Sequence, residues 1–240
     1  MKRIVFLTAA LLPVFAQPVH ARMTVGHVVK MTRDGLKSPL QKAAERGDAK
    51  AQYSLGDAYS KGQNVSKSDE QAVFWYQKSA DQGYAPAQAA LGYAYSIGAG
   101  GTHDEARAVS LFQKAADQGN AAAQYNLGIA YSNGQGVPHS DEQAVSWYQK
   151  SANQGYAPAQ FNLGAAYYHG EGVTQSYEQA VTWYQKAAEQ GDSKAQTALG
   201  VAYITGRGVP KSKEKALLWI QKSADQGDVT AQKILPALKK

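Results

Sequence analysis

A period of 36 residues runs through this chain from Gly47 to Gly227 with no insertion or deletion. Gly47, Gly83, Gly119, Gly155, Gly191 and Gly227 keep its beat, and so do Leu55-Gly56, Leu91-Gly92, Leu127-Gly128, Leu163-Gly164 and Leu199-Gly200. Trp75, Trp147, Trp183 and Trp219 hold the same spacing. Self-similarity at such a period marks a solenoid, because one short unit cannot bury its apolar face alone and stacks on copies of itself. A chain of this kind works through its surface.

Ala123 to Gly155 is the clearest copy. Ala123, Leu127, Ala130 and Tyr131 fall at i, i+4, i+7 and i+8, the apolar stripe of an amphipathic helix, called helix A. Gly134-Gln135-Gly136-Val137-Pro138 then breaks the pattern, since glycine and proline together favour a tight loop. A second helix, helix B, begins near Ser140. The equivalents of Ser140 are Ser68, Asp104, Ser176 and Ser212, all able to accept from a free amide of the first turn. Gln71, Gln143 and Gln179 three residues on predict full capping boxes. Lys78, Lys114, Lys150, Lys186 and Lys222 stand near the other end, where a cation suits the helix dipole, and the recurrent glycine supplies the stop. Ala144, Trp147, Tyr148, Ser151 and Ala152 share one broad face, which predicts that the large rings fill space against the small residues of helix A.

Copies that read A-Q-x-x-L-G-x-A-Y, then G-x-G-V, then A-V-x-W-Y-Q-K-[SA]-A-x-Q-G closely resemble the Sel-one-like repeat, a relative of the tetratricopeptide repeat, from about residue 38 to 235. The resemblance implies an all-α fold, a right-handed α-α superhelix of five helix-turn-helix repeats, acting as an adaptor for other proteins. The organisation expected is a solenoid over 38–240, with repeats at about 48–83, 84–119, 120–155, 156–191 and 192–227 and a capping helix in 228–240. One copy departs from the pattern, with Leu111 for tryptophan and Gly98-Ala99-Gly100-Gly101 in the loop. Both changes remove apolar anchorage and add backbone freedom, so residues 96–112 are expected to be the softest interior joint.

Lys2 and Arg3, an uncharged run from Ile4 to Val14 and then Val19-His20-Ala21 read as a cleavable export signal over 1–21. Residues 22–37 read as a flexible leader, and the mature protein as periplasmic or secreted. No later segment approaches the roughly 20 apolar residues a spanning helix needs. Basic residues number 25 against 19 acidic, and they are scattered or periodic, which argues against a nucleic-acid footprint. The absence of cysteine excludes disulfides, thiolate metal sites and a cysteine nucleophile.

Three apparent motifs dissolve into the period. His27, His103, His139 and His169 lack metal-ligand spacing. Gly206-Arg207-Gly208-Val209-Pro210-Lys211-Ser212 looks like a phosphate loop but follows a helix, and its glycines align with turn glycines. Ser212-Lys213-Glu214-Lys215 matches the S-x-x-K of serine acylases, a check prompted by β-lactam-binding relatives of the repeat, yet it aligns with helix caps and has no S-D-N or K-T-G. Neither catalysis nor a cofactor is expected.

Positions identical in every copy serve stacking, whereas positions that differ can serve a ligand. The second stripe of helix A varies, and it carries Tyr53, Tyr93, Tyr125, Asn126, Ile129, Phe161, Asn162, Tyr168 and His169 as candidate partner-binding residues. In related repeats helix A lines the concave groove. The alternative for each ring of this stripe is packing against the adjacent repeat. Tyr59, Tyr95, Tyr131, Tyr167 and Tyr203, and likewise Gln52, Gln88, Gln124, Gln160, Gln196 and Gln232, are uniform and assigned to the architecture. The reading is therefore of a monomeric, non-enzymatic scaffold of the bacterial cell envelope that binds a protein or peptide, with no nucleic acid and no membrane span. A secreted factor engaging a host protein is the alternative, and a β-lactam-binding repeat protein a third.

Overall fold

The computed structural model describes residues 37–240, and among them it places twelve α-helices and no strand. The segment read as an export signal lies outside the described residues, as does the segment read as a leader except Lys37, whose ammonium stands 2.7 Å from a Glu45 carboxylate oxygen. A short α1 (Pro39–Glu45) comes first. Helix A of the successive copies is α2 (Ala49–Lys61), α4 (Ala85–Ile97), α6 (Ala121–Asn133), α8 (Ala157–His169) and α10 (Ser193–Thr205). Helix B is α3 (Asp69–Ala80), α5 (Glu105–Asp117), α7 (Asp141–Asn153), α9 (Tyr177–Glu189) and α11 (Lys213–Asp225), and α12 (Val229–Leu238) closes the stack. Each helix packs chiefly on its predecessor and its successor, so the molecule is the expected solenoid of five copies.

Helix B starts where serine and aspartate recur. The side chains of Ser68, Asp104, Ser140, Ser176 and Ser212 accept the N–H of Gln71, Arg107, Gln143, Gln179 and Lys215, each satisfying one orphan donor of the first turn. The reciprocal half of the expected capping box is not made at Gln71, Gln143 or Gln179. The cap N–H that this half would use is already donated to a carbonyl of the preceding helix A, and the cap hydroxyl donates separately to Glu70, Glu142, Glu178 or Glu214, at 2.9, 3.0, 3.1 and 3.0 Å. Among the described residues a complete box forms at Ser38 and Gln41. The cap residue's own N–H donates back to the carbonyl of Tyr59, Tyr95, Tyr131, Tyr167 or Tyr203, which closes each loop.

Leu55, Leu91, Leu127, Leu163 and Leu199 are fully buried, and the glycine after each one leaves a slot in helix A. Tyr76, Phe112, Tyr148, Tyr184 and Ile220 of helix B fill that slot; a Cβ on Gly164, for example, would stand 2.7 Å from the Tyr184 ring. This corrects the expectation for the tryptophans. A helix advances about 100° per residue, so only one of two adjacent rings can face the glycine, and it is the residue after the tryptophan. The indole points instead toward the preceding copy. Trp183 joins the apolar group of Ala144, Tyr148 and Ala152, and Trp147 that of Ala108, Phe112 and Ala115. The recurrent lysine one turn on lies over the indole, with Nζ 3.7, 3.9 and 4.5 Å from the ring centres of Trp147, Trp183 and Trp219, a cation–π contact in addition to its place near the helix end.

The uniform glutamines join copies, as expected of them. Gln124 donates through Nε2 to the Ala116 carbonyl at the end of the preceding helix B, and its Oε1 accepts from Gln154 at 2.7 Å. The same pair of bonds recurs at Gln52, Gln88, Gln160 and Gln196. These amides add a second bond to helix-end carbonyls that already accept a backbone N–H, as Ala116 does from Gly119, and so tie each copy to the end of the one before.

Candidate functional site

The variable stripe of helix A divides into two sets with different fates. Tyr53, Tyr125 and Phe161 point into the seam between copies. Tyr125 is only 9% exposed, and its ring lies 6.0 Å from Tyr148 and 5.4 Å from Tyr156, the first residue of the next copy. Tyr53 stands likewise 5.9 Å from Tyr76 and 5.6 Å from Tyr84, and Phe161 5.7 Å from Tyr184. Burial pushes the Tyr148 hydroxyl up to about 12 and those of Tyr53, Tyr125 and Tyr184 higher. Asn162 sits beside the hydroxyls of Tyr125 and Tyr148 and eases both back down. These rings are committed to stacking, so a partner meets at most their edges.

The other set remains at the surface. Tyr93 and Ile129 are half-buried, as are Asn126 and Asn162, and Ile97 one turn beyond Tyr93 is 57% exposed. Together they form a discontinuous row of apolar side chains with amides between them, able to grip an extended backbone through Asn126 and to shield apolar side chains on Tyr93 and Ile129. At the loop end of α8, Tyr168 and His169 stack edge to face at 5.0 Å, and Tyr177 approaches Tyr168 at 5.1 Å. The Arg207 guanidinium donates to the Tyr168 hydroxyl and lies 5.3 Å from the Tyr177 ring. Sequence reasoning missed Ile97, Tyr177 and Arg207, since the first lies at a helix end, the second opens helix B of the same copy as Tyr168, and the third belongs to the next copy.

A second regularity also went unread. The residue that opens helix A is Asp48, Asn120 and Asp192 in alternate copies, each accepting an amide of its helix, whereas Tyr84 and Tyr156 open the copies between and make no such bond. Alternation follows from packing: each opening tyrosine covers Tyr53 or Tyr125 of the copy before it. Comparing every second copy would have revealed it.

The motifs set aside on sequence grounds are structural here. Ser212 Oγ accepts the Lys215 amide and donates to Glu214, while the Lys215 ammonium lies over Tyr203 at 5.3 Å. His139 pairs with Asp141 at 3.2 Å, and among the described residues no group of His, Asp and Glu has a metal-binding arrangement. No described helix is long and apolar enough to cross a membrane.

The Sel1 repeat family model matches residues 49–84, 85–120, 121–156, 157–192 and 193–228. Among solved structures, the chain is 37% identical to a protective antigen of uropathogenic Escherichia coli with an SLR fold, at a TM-score of 0.74. That match covers 82% of this chain but 42% of the antigen. A Sel1 repeat protein from Oxalobacter formigenes is 35% identical with a TM-score of 0.74, over 88% of this chain and 80% of that one. An immunity protein from Pseudomonas aeruginosa is 25% identical with a TM-score of 0.57, over 85% and 79% of the two chains. A search of curated proteins finds no match.

Proposed function

The chain belongs to the Sel1 repeat family, whose solenoids generally mediate protein–protein interaction and are generally non-enzymatic, and we propose that it is an exported adaptor of the bacterial cell envelope that binds a protein or peptide along helix A. The observation that supports this reading is the row of Tyr93, Ile97, Asn126 and Ile129, helix A side chains that the stacking of copies leaves partly uncovered, Ile97 at 57%. On this reading helix A forms the concave side and the protein acts as a monomer. A photo-crosslinking residue placed at Tyr93 or Ile129 tests it in growing cells. The expected result is a discrete adduct with one envelope protein from both positions and none from Gln149 on helix B. Equal labelling from all three positions would remove the helix A row from consideration, and a chain found only in the cytoplasmic fraction would remove the envelope role.

A host-directed factor is the second reading, supported by the likeness to an antigen of uropathogenic strains. It predicts the chain in culture supernatant and adducts only when host cells are present.

A further inference from the structure

We propose that the notch beside Leu111 receives a tryptophan side chain from a protein partner. It lies on helix B, away from the helix A row, and stands independently of the reading above. In copies three to five the same position carries an indole that packs toward the preceding copy beneath the lysine one turn on, at 3.7, 3.9 and 4.5 Å. Copy two has the lysine, Lys114, but only Leu111 where the ring belongs. What remains is an open surface notch of about 260 Å³ lined by Gln77, Tyr95, Arg107, Ser110, Leu111 and Lys114.

Four observations define the occupant. Leu111 and the Tyr95 ring supply the apolar part of a lining that is otherwise polar, and the Tyr95 hydroxyl donates to Gln77 Oε1 at 3.4 Å. The volume lies at or below the lower end of the range for small-molecule pockets, about 300–1,000 Å³, and suits one side chain better than a cofactor. Among the described residues Lys114 has no ion pair and no ring under its ammonium, whereas Arg107 is held by Asp104 at 3.3 Å and lies 5.9 Å from Tyr95. A free cation beside Leu111 and the Tyr95 ring favours the negative face of an aromatic ring and disfavours a cationic partner. The chain's own tryptophans show which ring fits beneath that lysine. The partner is thus a protein that inserts a tryptophan flanked by acidic residues, as interface anchors tend to be large aromatics seated in a pocket.

The test is a titration of the isotopically labelled mature chain with N-acetyl-tryptophanamide, followed by amide chemical shifts. Saturable shifts are expected at Gln77, Ser110, Leu111 and Lys114, with N-acetyl-leucinamide binding at least about tenfold more weakly. Leu111→Trp fills the notch from within and abolishes the shifts while raising the melting temperature. Should Leu111→Trp fail to fold, Leu111→Phe serves the same purpose. Lys114→Met keeps the cavity and weakens binding several-fold. A peptide carrying Asp-Trp-Asp binds more tightly than the amide. The proposal is overturned if no shift appears at about 10 mM amide, if Leu111→Trp leaves the shifts intact, or if free indole binds as well as the acidic peptide.

Discussion

Gly136→Ala is expected to destabilise the solenoid far more than Gly155→Ala, although both glycines have positive φ, +68° and +86°. At Gly155 a new Cβ meets nothing within 4 Å, so the cost is conformational alone. Forcing alanine into the left-handed region costs about 1–2 kcal/mol, offset by about 0.4–1 kcal/mol from the reduced freedom of the unfolded chain. The net for Gly155→Ala is therefore about 1 kcal/mol. At Gly136 the loop rests on the first turn of α5, and the Cβ would stand 2.5 Å from the Glu105 carbonyl oxygen and 3.1 Å from the Ala106 nitrogen. That is roughly 1 Å closer than non-bonded heavy atoms tolerate, and the obstacle is backbone, which cannot turn aside as a side chain can. Lifting the loop also breaks the Gly136 N–H bond to Glu105 at 3.2 Å. Overpacking of this kind adds about 1–3 kcal/mol, so the total is about 2–4 kcal/mol. The first copy carries a natural control: Asn64 holds the equivalent position at φ 61° and is exposed, because no full copy precedes it. Urea unfolding followed by circular dichroism measures both variants, with exchange of the α5 amides as a local readout. If the two glycine variants agree within about 0.5 kcal/mol, the docking of loop on helix contributes nothing and the reasoning fails.

Asp192→Asn should raise stability at neutral pH, because burial pushes the Asp192 carboxyl up while its bond to the Ala195 amide only partly offsets that, and Asn120 already performs the same capping in copy three. A raised carboxyl is stabilising while protonated and loses that contribution as pH rises through its folded value, so the advantage of Asn must shrink on acidification; a pH-independent difference in thermal melts would contradict this. Alkaline titration should ionise the buried tyrosines together with unfolding, since burial pushes Tyr148 up to about 12 and Tyr76, Tyr125 and Tyr184 higher, whereas unfolded tyrosines ionise near about 10. Complete tyrosinate absorbance from all 15 tyrosines with circular dichroism unchanged would refute it. Gln124→Ala should cost about 1–2 kcal/mol, since it removes two neutral hydrogen bonds while the Ala116 carbonyl keeps the Gly119 N–H and the exposed Gln154 amide turns to water, and a double-mutant cycle with Gln154→Ala should recover about 0.5–1 kcal/mol of coupling. Hydrogen exchange should find residues 96–112 less protected than 168–184, since Leu111 leaves its seam unfilled.

What the sequence determined by itself is everything that depends on neighbours a few residues away. The stripe of Ala123, Leu127 and Ala130, the caps at Ser68 to Ser212 and the glycine stops were legible because helix faces and capping bonds link positions three or four apart. Comparison of copies also identified the uniform glutamines as architecture and dissolved the S-x-x-K run into a helix cap. Tertiary structure decided the rest, because the choices involve partners about 30 residues away in the chain, as in the Gln154 to Gln124 bond. Whether Trp147 or Tyr148 enters the glycine slot depends on how closely α6 and α7 approach, and no local period encodes that distance. Tyr125 and Ile129 read alike as variable apolar positions of one helix. Only the arrival of Tyr156 from the next copy commits the first to the seam, while the second stays half-buried.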